Sequence, residues 1–256
     1  MEHIQHILIE IARAIDMYWL CVVVGIALAT WLALRRRRAN HFHVSAKDVL
    51  LTTLSCVVGG FIGAKVLQLC GLIIRYGVIP GFWTFENWKS MMPSAGVFYG
   101  GLIGGFFTGL LYVHKRKVDF REITDILMPA LLLGHAFGRF GCFFAGCCYG
   151  RVADWGIALH GDIPRIPVQL FEAGFDLLVM LAMLIFRPER KRPGILLPLY
   201  LIVYAAGRFI LEFFRGDEGR GIVLLSTSQW ISLLIFPIGI MLLWRTIRQD
   251  QKKFSA

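Results

Sequence analysis

The chain has 256 residues, of which 57% are hydrophobic and only 17% charged, with a net charge of +10. So little polar surface excludes a water-soluble globule and points to an integral membrane protein in which helices satisfy their own backbone hydrogen bonds. The positive charge does not point to nucleic acid, because most of the basic residues fall in alternate short loops between apolar runs.

In chain order, runs long enough to cross a bilayer of about 30 Å begin near Tyr18, Val49, Pro93, Ile123, Val168, Gly194 and Thr227. The expected fold is all-α, a polytopic membrane protein of about seven transmembrane helices forming a single domain, residues 1–256. Lys65 interrupts the second run and a glycine-rich segment ends the fourth. The first run is preceded by Glu10 and Asp16 and followed by four arginines. That is the reverse of a cleavable signal peptide, so the run is expected to stay as an anchor.

Arg35 to Arg38 with Lys47, the cluster from Lys115 to Arg121, the cluster from Arg187 to Arg192, and the basic C-terminal stretch from Arg245 to Lys253 lie on one side of this arrangement. The opposite loops hold only scattered Arg13, Arg75, Lys89, Arg151, Arg165, Arg215 and Arg220. Basic flanks stay cytoplasmic, which places the N-terminus outside and the C-terminus inside. Two outward segments exceed a simple turn. One carries Phe82, Trp83, Phe85 and Trp88, and reads as an interfacial segment or an aromatic belt. The other, residues 151–167 with Asp154, Trp155, His160 and Asp162, reads as a lid or a connector.

The stretch Gly138-Arg139-Phe140-Gly141-Cys142-Phe143-Phe144-Ala145-Gly146-Cys147-Cys148-Tyr149-Gly150-Arg151 carries the strongest chemical signal. A guanidinium near a hydrocarbon span faces a cavity, a partner or an anion, since exposing it at the centre costs about 2.5–3.5 kcal/mol. Gly138, Gly141, Gly146 and Gly150 let the backbone bend and approach a ligand. Further along, Tyr204, Arg208 and Glu212 recur every four residues and share a helical face, with Arg215 three residues beyond. Arg139 and Arg208 at one depth make a site for phosphate oxygens, although Arg208 and Glu212 also read as a simple neutralising pair. Glu172, between Gln169 and Asp176, adds carboxylates at the outer start of the fifth span. Gly101, Gly105 and Gly109 have the small-residue spacing of tight helix packing, whereas Tyr99 with Gly100 and Gly101 reads as part of a cavity wall.

These segments resemble the prolipoprotein diacylglyceryl transferases, bacterial inner-membrane enzymes. Tyr18, Gly63-Ala64-Lys65, Phe98-Tyr99-Gly100-Gly101-Leu102, the Gly138 to Arg151 stretch, Pro167 to Glu172, Gly207-Arg208-Phe209 through Arg215, and Ser228-Gln229-Trp230 occur in that family's order. The resemblance implies transfer of the diacylglyceryl group of phosphatidylglycerol to the thiol of a lipobox cysteine in a prolipoprotein peptide, within the lipid bilayer and without a cofactor. It also implies substrate contacts at Tyr18, Gly100, Gly101, Gly138, Gly150, Glu172, Tyr204 and Arg215, with Arg139, Arg208 and Glu212 as the reactive framework.

The departures fall on polar residues. Tyr99 stands where the family has His, Cys142 and Ala145 where it has Asn, and Cys147 where it has Glu. A phenol titrates near about 10 and is a poor base, whereas a thiol beside arginines is drawn toward thiolate. Cys142 or Cys147 is therefore expected to act as base or transient nucleophile beside Tyr99. Two other readings of Cys142, Cys147 and Cys148 stay open, a disulfide and, less favoured for want of nearby His, a metal site; no metal is expected. Cys21, Cys56 and Cys70 read as packing residues. Two functions follow: the lipid transferase, and alternatively a thiol-redox or lipid-binding membrane protein that kept the fold and lost the transfer chemistry.

Overall fold

A computed structural model describes residues 17–40, 42–76, 84, 98–158, 163–216, 221–222 and 224–254. The described residues form seven long helices: α1 (Met17–Ala39), α2 (Ala46–Tyr76), α3 (Phe98–Arg116), α4 (Phe120–Phe144), α5 (Val168–Phe186), α6 (Leu196–Leu211) and α7 (Thr227–Phe254). Six of them are long and apolar enough to span a bilayer, and α3 is a 19-residue apolar helix. The expectation of an all-α polytopic protein of about seven helices is met. A short strand β1 (Val152–Ile157) and a two-residue hairpin of β2 (Gly221–Ile222) and β3 (Leu225–Ser226) decorate it. The aromatic stretch around Phe82, Trp83, Phe85 and Trp88 lies outside the described residues, as do His160, Asp162 and Arg220.

The chain divides into two compact units, α2 with α3 and α1 with α4 to α7. In the first, Ser45 and Asp48 cap α2 reciprocally, the Ser45 Oγ accepting from the Asp48 amide at 3.0 Å and donating to Asp48 Oδ2 at 2.6 Å. This explains why the helix starts three residues before Val49. Lys65 does not interrupt it, because its Nζ donates forward to Gln68 at 3.5 Å and lies over the Phe61 ring. α2 and α3 touch backbone to backbone: a Cβ at Gly63 or Gly100 would overlap the other residue's carbonyl oxygen. Gly100 thus sits at the helix contact, extending the packing pattern expected only for the later glycines. Gly101 faces Gly60 and Ala64 in the same seam.

The second unit packs its apolar core between two buried polar clusters. Leu32, Met128, Leu132, Met180, Met183, Ile195 and Leu196 pack together. At one edge of that core Arg36 Nη2 meets Glu189 Oε1 at 2.8 Å and donates to the Asp125 carbonyl at 3.0 Å. The Asp125 carboxylate in turn accepts from the amides of Gly194 and Leu196, at 2.5 and 3.0 Å, and so satisfies the start of α6. Gly194, at φ +84°, makes the turn that delays α6 to Leu196.

Candidate active site

The other polar cluster of this unit is built around the end of α4. Gly146, at φ +67°, closes the helix in a Schellman turn: its amide donates to Phe143 O at 3.1 Å and the Cys147 amide to Cys142 O at 3.1 Å. The chain then runs through Tyr149 to Ala153 between two other segments. Gly150 donates to Ile166 O and Ile166 to Arg151 O on one side, while Arg151 donates to Phe214 O and Gly216 to Tyr149 O on the other. Gly150 permits this contact, since a Cβ there would strike Ile166. This ladder draws the thiol segment, the approach to α5 and Arg215 together.

Helices α4 and α5 run antiparallel, so pairs spaced by four on each helix meet in reverse order. Arg139 Nε lies 2.9 Å from Glu172 Oε2, and one turn away His135 Nδ1 lies 3.1 Å from Asp176 Oδ2. From α6, Arg208 also pairs with Glu172 Oε1, reaches Glu212 Oε2 at 2.9 Å, and donates to Ser228 Oγ at 3.3 Å. Arg215 Nη1 stands 3.6 Å from the same Glu172 oxygen. All four ion-paired residues around Glu172 are buried or nearly so. Three guanidiniums gather around Glu172 and Glu212 in this cluster, and the His135–Asp176 pair lines the same cavity. Ser228 is placed by the cap of α7, where Gln229 N donates to Ser226 Oγ at 3.2 Å and Ser226 N to Gln229 Oε1 at 3.0 Å.

The structure brings Arg139, Glu172, Arg208, Glu212 and Arg215 together with Tyr204; the four-residue spacing places Tyr204, Arg208 and Glu212 on one face. Tyr204 stacks on Tyr200 and lies against His135, each at 5.3 Å between ring centroids. Tyr18 approaches Gly141 and lies within electrostatic reach of Cys142 and Arg139. Gly138 adjoins open space. Tyr99 and Gly100 belong to the other unit, and the Tyr99 side chain lies outside what is described.

Sequence reasoning missed His135, and it read Asp176 only as an accessory carboxylate. The signal was present in the four-residue spacings 135/139 and 172/176, but matching them requires knowing that α4 and α5 face each other.

The six cysteines are free thiols. Cys142, Cys147 and Cys148 come together, their sulfurs all within 4.8 Å of one another. Arg215 hydrogen-bonds the third of these, and it is Cys148, not Cys147, whose thiol is held below its ordinary value. Hydrogen bonds from Cys142 and Cys147 contribute most, and the Arg215 charge adds to them. Between the arginines, Glu172, Tyr204 and Phe175 lies a cavity of only about 10 Å3, room for roughly one water. Beside the thiol turn lies a larger pocket of about 230 Å3, lined by Phe143, Gly146, Tyr149, Arg165, Pro167 and Gln169 among others. Arg165 stacks over Tyr149 at 4.2 Å there.

Residues 6–245 match the family model described as prolipoprotein diacylglyceryl transferase. A phosphatidylglycerol–prolipoprotein diacylglyceryl transferase 2 of Clostridium perfringens is 32% identical over 88% of each chain. The phosphatidylglycerol–prolipoprotein diacylglyceryl transferase of Idiomarina loihiensis is 34% identical over 96% of this chain and 94% of its own. That of Bordetella bronchiseptica is 33% identical over 93% and 94%. With the match running through every element of the arginine and glutamate cluster, the chain belongs to the prolipoprotein diacylglyceryl transferase family.

Proposed function

We propose that this protein transfers the diacylglyceryl group of phosphatidylglycerol to the thiol of a lipobox cysteine, at the outward face of a bacterial inner membrane. The observation that carries the reading is the buried cluster of Arg139, Arg208 and Arg215 around Glu172 and Glu212. Guanidiniums gathered beside one cavity suit the oxygens of a phosphodiester. The cluster sits at the ends of α4 and α6 and the start of α5 and α7, the side on which basic loop residues are sparse, so we place it outward, with the N-terminus outside and the C-terminus cytoplasmic. The whole chain is taken as one functional membrane domain.

In the reaction, the acceptor thiolate attacks the glycerol carbon that bears the phosphate ester. A C–S bond forms, the C–O bond breaks, and its electron pair leaves on glycerol phosphate. Arg139 and Arg208 stabilise that developing charge, and Glu212 keeps Arg208 aimed. Because the cavity holds about one water, the lipid phosphate must draw the guanidiniums away from Glu172 as it enters, so that Glu172 exchanges partners with the substrate. Tyr18, Tyr204, Gly138 and Gly150 shape the entry. Cys148, the member of the trio held toward thiolate, is the thiol suited to assist ionisation of the acceptor thiol, and the pocket beside the thiol turn receives the acceptor peptide.

A thiol-redox or lipid-binding protein on the same fold is not favoured, since the intact ion-pair cluster and relatives matching over most of their length both support transfer. The test is mass spectrometry of a lipobox peptide incubated with the purified protein in phosphatidylglycerol vesicles. A diacylglyceryl adduct on the Cys peptide, absent from its Cys→Ser counterpart, is expected; no adduct on either overturns the reading.

A further inference from the structure

The thiols of Cys142, Cys147 and Cys148 are held as a group by devices that the ion-pair cluster does not need. The Schellman turn carries Cys147 back over Cys142, whose carbonyl accepts from the Cys147 thiol at 3.7 Å. Gln169 Nε2 pins the Cys147 carbonyl at 2.6 Å. Cys148 takes the left-handed conformation, φ +62°, that a non-glycine residue adopts at some cost, and so turns its sulfur toward the other two. The sulfurs all lie within 4.8 Å of one another. Three thiolates at about 2.3 Å from a tetrahedral zinc ion stand about 3.8 Å apart, so the group closes on such an ion by movements of about 1 Å or less.

Charge agrees with geometry. Three thiolates and a divalent ion leave one negative charge, and Arg215, bonded to Cys148, and Arg139, within electrostatic reach, offset it. Soft thiolates without carboxylate or carbonyl ligands select d10 ions such as Zn(II) or Cu(I) over magnesium or calcium. Cys147 is exposed, which leaves a path for a fourth ligand.

We propose that Cys142, Cys147 and Cys148 bind one thiophilic d10 cation whose fourth position receives the acceptor thiol. The second half of this rests on the transferase reading. On coordination the acceptor S–H gives its proton to water, because a metal-bound thiol is deprotonated. The bound thiolate sulfur then forms the C–S bond while the C–O bond to phosphate breaks, and the electron pair departs on the phosphate oxygen facing Arg139 and Arg208. No oxidation state changes.

The experiment uses the full chain, purified anaerobically in detergent under reducing conditions and titrated with zinc alone against a chromophoric chelator. One equivalent is expected to bind. Cys147→Ser, at an exposed position, and Cys148→Ser are each expected to weaken binding at least tenfold with an unchanged elution profile, whereas replacing Cys21, Cys56 and Cys70 together leaves it intact. Zinc binding that survives the first two changes overturns the site. So does a disulfide within the trio in protein alkylated directly in membranes.

Cadmium reports on the fourth position. Its thiolate charge-transfer absorption is expected to rise by about one third when a lipobox Cys peptide is added, and not with the Ser peptide. No rise overturns the catalytic half. If the peptide binds the metal but no adduct forms in phosphatidylglycerol, the transferase reading fails while the metal site stands.

Discussion

Arg139 and Glu172 meet at 2.9 Å across two antiparallel helices, and the same carboxylate also holds Arg208 and Arg215. One acidic side chain thus gathers three guanidiniums from three parts of the sequence. Burying such a group without pairing is prohibitively costly, and removing one partner of a buried pair costs about 3–5 kcal/mol. The cluster is therefore held together until something anionic enters it.

Removal of a phosphate-binding arginine should be felt mainly in the transition state. Arg139→Ala and Arg208→Ala are each expected to lower kcat about 10²–10³-fold, whereas Arg151→Ala, at an exposed position beside the same ladder, leaves it within about twofold. Initial rates normalised to folded yield provide the check. Equal losses in all three variants would mean that the phosphate sits elsewhere.

Stability and activity should separate at the far end of the same unit. Arg36→Ala leaves the buried Glu189 without its 2.8 Å partner, and is expected to lower the thermal midpoint in detergent by several degrees. Below that midpoint, activity per folded molecule should stay near the wild-type value. A selective loss of kcat with an unchanged midpoint would tie Arg36 to the chemistry instead.

Thiol reactivity carries a pH signature. A free cysteine, with a pKa of about 8.5, loses about tenfold in thiolate per unit as pH falls below that value. Cys148 is held lower by its thiol neighbours and by Arg215. In metal-free, reduced protein, its alkylation by iodoacetamide should therefore fall by less between pH 8 and pH 6 than that of a free cysteine. Phosphatidylglycerol should slow the reaction by filling the adjoining site. Quantitative mass spectrometry of Cys148 peptides distinguishes this from a tenfold-per-unit decline.

Orientation is tested with a membrane-impermeant maleimide on intact cells. Cysteines introduced at Asp154 and Lys191, both exposed, should differ, the first labelled and the second silent. The opposite pattern would invert the proposed topology.

Much of this was legible in the sequence, for physical reasons that differ from residue to residue. The helices were readable because a bilayer demands runs of apolar residues, and small errors at their starts trace to local devices such as the Ser45 and Asp48 cap. The Tyr204, Arg208 and Glu212 stripe was readable because four-residue spacing defines one helix face. The pairing of His135 with Asp176 was not, since it depends on the antiparallel register of α4 and α5. Likewise, Cys148 gained its place beside Arg215 through the ladder joining Gly150, Ile166 and Gly216, contacts between segments far apart in the chain.

Headgroup selectivity is read from the rate of lipobox-peptide modification in vesicles that differ only in headgroup. Because the ammonium of phosphatidylethanolamine would face the three guanidiniums gathered around Glu172, phosphatidylglycerol is expected to give diacylglyceryl peptide, with an equal amount of glycerol phosphate, at least tenfold faster than that zwitterionic lipid. Equal rates from the two lipids, or peptide modification without glycerol phosphate release, would contradict this expectation.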